Sequence, residues 1–201
     1  MSYEILIVTD TKSIKQRGRP RKLDHDAGLK VALSMFQKYG FENVSIAQLC
    51  EQLCATPTSL YATYGNKESL FIAALNLYKA DFFKELDRTL GVSENSSDMF
   101  RNTMEFTLNY YLDDNQKAGC LILQGNTFCK QPTIIDAVKN SQLELQSKIQ
   151  NRLNELGSAN PDELTHVLIT LMQGMAISSQ SEVDEDQLYT SLEFFCAAFD
   201  C

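Results

Sequence analysis

Apolar residues return every three to four positions along almost the whole chain, in runs that open on Asp, Ser, Thr or Asn and close on Gly or Pro. That spacing belongs to an α-helix with one buried face, and the opening residues are those whose side chains accept hydrogen bonds from the free amides of a helix start. The two-residue alternation of a half-buried strand is almost absent. The chain is therefore expected to be all-α.

Asp24 is placed to cap a helix carrying Leu29, Val31, Ala32, Met35 and Phe36 as far as Tyr39, and Gly40 stops it. Ser45 caps a short second helix with Ile46, Leu49, Cys50 and Leu53, and Gln48 stands at the capping-box position. Thr56-Pro57 pairs a hydroxyl cap with proline at the first helical position, and the helix it starts runs to Tyr64. Gly65-Asn66 breaks the chain and caps a long segment from Lys67 to about Leu90. Later helices are expected at about 98–112, 121–128, 133–156, 162–179 and 186–199. The organisation read from this is an arm over 1–22, a three-helix head over 23–66, and a helical body over 67–201 that the 67–90 helix connects to the head. Residues 1–16 have no core of their own and read as a mobile extension.

Composition narrows the classes. A hydrophobic fraction of 44% supplies a core, and 9 Gly with 4 Pro do not describe a collagenous or disordered chain. No apolar run approaches the ~18–20 residues of a membrane span, and Ile5-Leu6-Ile7-Val8 is too short for a signal core, so a cytoplasmic protein is expected. The six cysteines form no C-x-x-C pair, and only His25 and His166 could join them. No metal site and no cofactor are expected. No nucleophile–base pair, phosphate loop or paired carboxylates stand out, so an enzyme is not expected.

Charge is unevenly spread. The chain carries −8 overall, yet the segment from Lys12 to Ala80 has ten basic and five acidic residues, while everything from Asp81 onward has eight basic and nineteen acidic. One part can face phosphates and the other cannot. Within the basic part, two short helices joined at Cys54-Ala55 make a helix-turn-helix pattern. The second starts with the slender polar residues Thr56, Thr58 and Ser59 after Pro57 is counted at the first turn, a shape that fits a major groove. Tyr61 can reach the backbone with its hydroxyl, and Lys67, at a helix start where a cation gains nothing from the dipole, is a candidate phosphate partner.

Over Arg17–Phe71 the chain resembles the TetR/AcrR family of bacterial transcriptional regulators. The resemblance is carried by "MFQKYGFENVSIAQL" and by "TPTSLYATYGNKESLF", which is close to the family's Leu-Tyr, aromatic and Lys-Glu-x-Leu hallmark. It implies a double-stranded DNA operator as partner, a homodimer joined by the last two helices, and a small-molecule inducer bound in the body. By position it assigns DNA contacts to Ser45, Thr58, Ser59, Tyr61, Thr63 and Lys67, beside Thr56 and Pro57 at the helix start. Three positions depart from the pattern. Cys54 stands for the usual Gly of the turn, where a side chain fits less easily if φ is positive. Cys50 stands for a common Ala, and Ala62 for a bulkier residue.

Arg17-Gly18-Arg19-Pro20-Arg21-Lys22 resembles the core of an AT-hook. Arg17, Arg19 and Arg21 either enter a narrow minor groove or touch phosphates without specificity. "AGCLILQGN" at 118–126 resembles a Gly-Cys-Leu segment in one branch of the same family. In the body, Phe106, Tyr110, Cys120, Phe128, Met172 and Met175 are candidate pocket residues of a kind equally suited to plain core. The last two helices offer Leu164, Leu168, Leu171, Met175, Leu188, Leu192, Phe195 and Phe199 for dimerisation. The expected function is a ligand-responsive regulator, a repressor released from a palindromic operator. The alternatives are a thiol-based redox sensor using Cys120 and Cys129 on the same scaffold and, more remotely, a helical adaptor or enzyme that does not touch DNA.

Overall fold

The computed structural model describes residues 23–113, 119–181 and 183–199, with the side chain of Phe199 outside it. Arg17, Arg19 and Arg21, the rest of the arm, and the extension over 1–16 also lie outside the described residues. Among those described there are helices and no strands, as the spacing predicts.

The helices are α1 (His25–Asn43), α2 (Ile46–Gln52), α3 (Pro57–Tyr64), α4 (Lys67–Val92), α5 (Ser96–Leu112), α6 (Leu121–Gln124), α7 (Pro132–Glu155), α8 (Pro161–Ser178) and α9 (Glu185–Phe199). The caps are the expected ones. Asp24 accepts from the Asp26 and Ala27 amides, Ser45 from Gln48, Thr56 from Ser59, and Asn66 from Ser69. Gly40, at φ +74°, breaks the helical path of α1 near its end and turns Phe41 into the core.

The 26 residues of α4 form the spine. At ~1.5 Å per residue it is roughly 39 Å long. α1 lies along its first half, α5 and α7 flank the rest, and α8 and α9 pack outside α5. The buried stripe Leu70, Phe71, Ala74, Leu75, Tyr78, Phe82, Phe83 and Leu86 follows helical spacing down its length. Phe71 meets Phe36 edge-on at 5.1 Å and Phe41 at 5.4 Å between ring centroids. The apolar core therefore runs without a gap across the expected 66/67 boundary.

Polar ties join the parts as well. Gln37 donates to the Gly119 carbonyl at 3.1 Å, and Glu42 accepts from the Lys130 amide at 2.9 Å. Lys79 pairs with Glu144 and Lys148 with Asp87 between α4 and α7. The guanidinium of Arg152 on α7 donates to the carbonyls of Leu90 (3.0 Å) and Ser93 (2.8 Å), at the far end of α4.

One helix is shorter than its apolar pattern. α6 ends at Gln124 instead of reaching Phe128. Gly125 follows, two turn hydrogen bonds close on Gln124 and Asn126, and Phe128 sits at φ +59°. An aromatic residue in the left-handed region cannot continue a helix.

Truncating the ring shared by the head and α4 tests its weight. Phe71→Ala is expected to cost about 3–5 kcal/mol of stability, measured by urea unfolding. A loss under about 1 kcal/mol would mean the cluster is not what holds α1 to α4.

Candidate nucleic-acid interface

α3 has eight residues, and only two are fully given to the interior. Leu60 is completely buried and Tyr64 nearly so. The Tyr64 hydroxyl donates to the His25 carbonyl at 2.7 Å, and its ring lies 5.2 Å from the His25 ring. Gly28 makes this possible: a Cβ there would stand 2.3 Å from the Tyr64 oxygen. α3 is thus fixed to α1 by one edge, and its opposite edge is left to solvent. Thr56, Pro57, Thr58 and Ala62 are exposed, and Tyr61 is 46% exposed. The slender polar start expected to enter a groove does protrude.

The hydroxyls divide into occupied and open ones. Thr56 Oγ1 accepts from the Ser59 amide at 3.2 Å and donates to Ser59 Oγ at 3.0 Å. Thr63 is half-buried and donates to the Ser59 carbonyl at 2.8 Å. Ser45 shares the capping box with Gln48, each amide bonding the other's side chain. These three hold local geometry, whereas Thr58 and Tyr61 are the exposed side chains with reach.

The turn between α2 and α3 carries strain. The Ala55 amide donates to the Cys50 carbonyl at 2.9 Å and the Cys54 amide to Glu51 at 3.2 Å, the hydrogen-bond pattern of a Schellman ending. That motif puts one residue in the left-handed region, and here it is Cys54 at φ +47°. The departure from glycine at this position is thus a departure with a steric cost.

Lys67 is placed differently from a free phosphate contact. Its ammonium lies 4.2 Å from the Phe41 ring centroid and is half-buried. Burial lowers its pKa, and the nearby Glu42 carboxylate opposes that fall. Glu42 is itself held below the usual carboxylate range, chiefly by the Lys130 amide. Lys67 therefore sits in a joint between α4, Phe41 and the 125–131 turn. The sequence signal for this, an aromatic residue following the Gly40 break, is too local to show what it packs on.

The candidate body residues fall in more than one setting. Tyr110 lines a cleft of about 390 Å³ with Lys30, Leu33, Tyr78 and Asp81, and its hydroxyl donates to Asp81 at 3.0 Å. Phe106 packs on Phe82 and Tyr110, at 5.3 and 5.6 Å. Cys120 and Phe128 line a different cavity, about 420 Å³ between α1 and α6, with Phe128 90% exposed at its edge. Met172 and Met175 are buried in α8. Phe106, Tyr110 and Cys120 thus gather around Tyr78, whereas Phe128 is a surface residue at a left-handed backbone position.

Nor are the two candidate sensor thiols activated. Burial pushes Cys120 up, and partial burial together with the Glu42 carboxylate pushes Cys129 up. A reactive cysteine needs the opposite shift.

The expected dimer stripe also divides. Leu168, Met175, Leu188 and Leu192 are buried inside the subunit and have no apolar surface left to cover. Leu164 and Leu171 are half-exposed and Phe195 exposed, while Phe199 has no described side chain. The strongest stripe on each helix packs on α5, and a second stripe faces out. It comprises Val167 and Ile177 on α8 and Phe194 on α9, the last 73% exposed, while the Tyr189 hydroxyl donates to Asn109 on α5 at 2.6 Å. The spacing marks the apolar positions of these helices and does not say which of them turn inward.

Among the described residues no group of three or more His, Cys, Asp or Glu is placed to hold a metal, and no helix is long and apolar enough to cross a membrane.

Comparison with known proteins agrees with this geometry. A family model described as bacterial regulatory proteins, tetR family, matches residues 29–74. The HTH-type transcriptional repressor ComR of Escherichia coli (strain K12) is 29% identical over 184 residues, covering 87% of this chain and 88% of the relative. The HTH-type transcriptional repressor BdcR of the same strain is 24% identical, covering 88% and 89%. A cysteine variant of the TetR-family regulator CifR, solved with 26-base-pair operator DNA, superposes with a TM-score of 0.80 at 25% identity, covering 90% of this chain and 99% of that one.

Replacing Cys54 by glycine removes the strained φ. Cys54→Gly is expected to raise stability by about 0.5–1 kcal/mol, the left-handed penalty less the entropy of glycine. The urea midpoint reads it, and a midpoint that falls would show that the Cys54 side chain has a packing role.

Proposed function

We infer that the chain is a member of the TetR family of bacterial transcriptional regulators and that its head and body divide the family's work between them. It is a ligand-responsive, DNA-binding regulator and not an enzyme. The observation that carries the reading is the exposed edge of α3, presented by helices that fix its other edge.

Thr58 and Tyr61 are the side chains we assign to the duplex, Thr58 to base edges in the major groove and Tyr61 to the phosphate backbone. Ser45, Thr56 and Ser59 act by holding the helix starts, whose amides also favour phosphate, and Thr63 by its bond to the Ser59 carbonyl within α3. Lys67 stabilises the joint behind α3. Arg17, Arg19 and Arg21 are proposed to add contacts from the arm, and the cytoplasm is the compartment where such work takes place.

The family's homodimer puts two heads on one palindromic site, ~34–36 Å or a multiple apart. The outward stripe of α8 and α9 is the face we assign to that pairing, because it leaves Val167, Ile177 and Phe194 unburied in one subunit. Repression fits the two Escherichia coli relatives, both described as repressors. An inducer that prefers a body with α4 displaced would change head separation and weaken both half-sites together. The Phe36–Phe41–Phe71 cluster makes the head follow α4.

Two outcomes are expected. In mobility-shift titrations Thr58→Ala lowers the preference for operator over unrelated duplex by about 1–3 kcal/mol, whereas Tyr61→Phe weakens both alike. An unchanged preference in the first variant overturns the base-contact assignment. Separately, Phe194→Glu is expected to run as a monomer in size-exclusion chromatography and to lose operator binding. A dimer that persists moves the interface elsewhere.

A further inference from the structure

Among the described residues, four buried side-chain oxygens lack a hydrogen-bond partner of good geometry: those of Tyr78, Thr103, Thr107 and Tyr111. Thr103, Thr107 and Tyr111 sit at four-residue spacing on one face of α5, and Tyr78 faces them from α4. All four residues are at most 1% exposed. Orphaned hydroxyls in a core are costly, and native interiors rarely keep them without a use.

The threonines make the point sharper. A threonine inside a helix can satisfy its hydroxyl on the carbonyl four residues back. In this chain Thr63, Thr89, Thr165, Thr170 and Thr190 all do so. Thr103 and Thr107 do not. Their oxygens are fully buried and bond neither their own helix nor a neighbouring one. Both tyrosine hydroxyls lie against the fully buried Cys120 thiol, whose sulfur is a weak acceptor that leaves their capacity largely unfilled.

We propose that the hydroxyls of Tyr78, Thr103, Thr107 and Tyr111 form the polar wall of an interior ligand site that takes an uncharged, elongated small molecule with accepting oxygens near both ends. This rests on the reading of the protein as an inducer-responsive regulator and names the class of inducer. The molecule is uncharged because no charged residue is among the buried ones described, and a buried charge without a partner is prohibitive. It is elongated because eight residues of α5 separate Thr103 from Tyr111, roughly 12 Å. It carries oxygens because donors without acceptors line the wall. Aromatic rings complete the surroundings: Tyr78, Phe82, Phe106, Tyr110 and Tyr111 are joined by contacts of 5.1–6.2 Å between centroids. Tyr78 also puts the occupant against α4, seven residues from Phe71. A molecule seated there pushes on the helix that carries the head.

The test uses the full chain, thermal melts and three probes of one outline. These are methyl 4-hydroxybenzoate (neutral, oxygens at both ends), 4-hydroxybenzoate (an anion) and 4-ethyltoluene (no oxygen). Without ligand, the Thr103→Val/Thr107→Val variant and, separately, Tyr111→Phe are expected to melt higher than wild type, each by about 2–4 °C, because an unpaired hydroxyl has been removed. The neutral ester is expected to raise the melting temperature of the wild type and not of either variant, and the other two probes to leave the wild type unmoved. Variants that melt lower overturn the proposal, since the hydroxyls would then be satisfied within the fold. So does a wild type that ignores the ester, or variants that respond to it as the wild type does. An operator mobility shift on ligand-free wild type separates the two readings. Lost DNA binding would sink the regulator itself, and intact binding with contrary melts would sink only the site.

Discussion

The packing of Phe71 against Phe36 and Phe41 is the interaction on which the rest of the molecule depends. It joins a head too small to own a large core to a helix that belongs to the body. A 40-residue helical unit buries little apolar surface for its size. Sharing three aromatic rings with α4 supplies what the head lacks. It also gives the head and the body one continuous core, which is what a regulator needs if a signal in one is to be felt in the other.

From that shared core the head follows by short steps. α1 runs along α4 and offers its N-terminal carbonyl at His25 to the Tyr64 hydroxyl. Tyr64 and Leu60 seat one edge of α3, and the remaining edge is left to water. Lys67 over the Phe41 ring and Glu42 on the Lys130 amide fasten the back of the same unit. Every one of these contacts lies on the side away from Thr58 and Tyr61. The edge proposed to meet DNA is kept free because the fastening is done elsewhere.

What could be read in advance was local. Asp24, Ser45, Thr56 and Asn66 announce helix starts because a cap acts within three residues of itself. Gly40 announces a break, and the Cys54 position announces a turn under strain, for equally local reasons. The protruding tip of α3 followed from those caps. What could not be read depended on neighbours distant in sequence. Lys67 looked like a free cation until Phe41 was beneath it. Phe128 looked like the end of a helix until Gly125 ended that helix early. Leu168, Leu188 and Leu192 looked like an interface because they are the most apolar stripe, and for the same reason they were the stripe the subunit took for its own core. Thr103 and Thr107 gave no sequence signal at all, since nothing in the spacing says where a hydroxyl will point.

Arg152 bears on how such a molecule could answer a signal. By holding the carbonyls of Leu90 and Ser93 it anchors the last turn of α4 to α7, and if the Lys79–Glu144 and Lys148–Asp87 pairs gave way first, that anchorage would serve as a fulcrum. A rigid rod fixed at one end swings most at the other. For a helix of roughly 39 Å, a tilt of about 5° carries the Lys67 end some ~3 Å. Leverage of this kind turns a sub-ångström adjustment beside the hinge into a displacement comparable to the rise of one base pair.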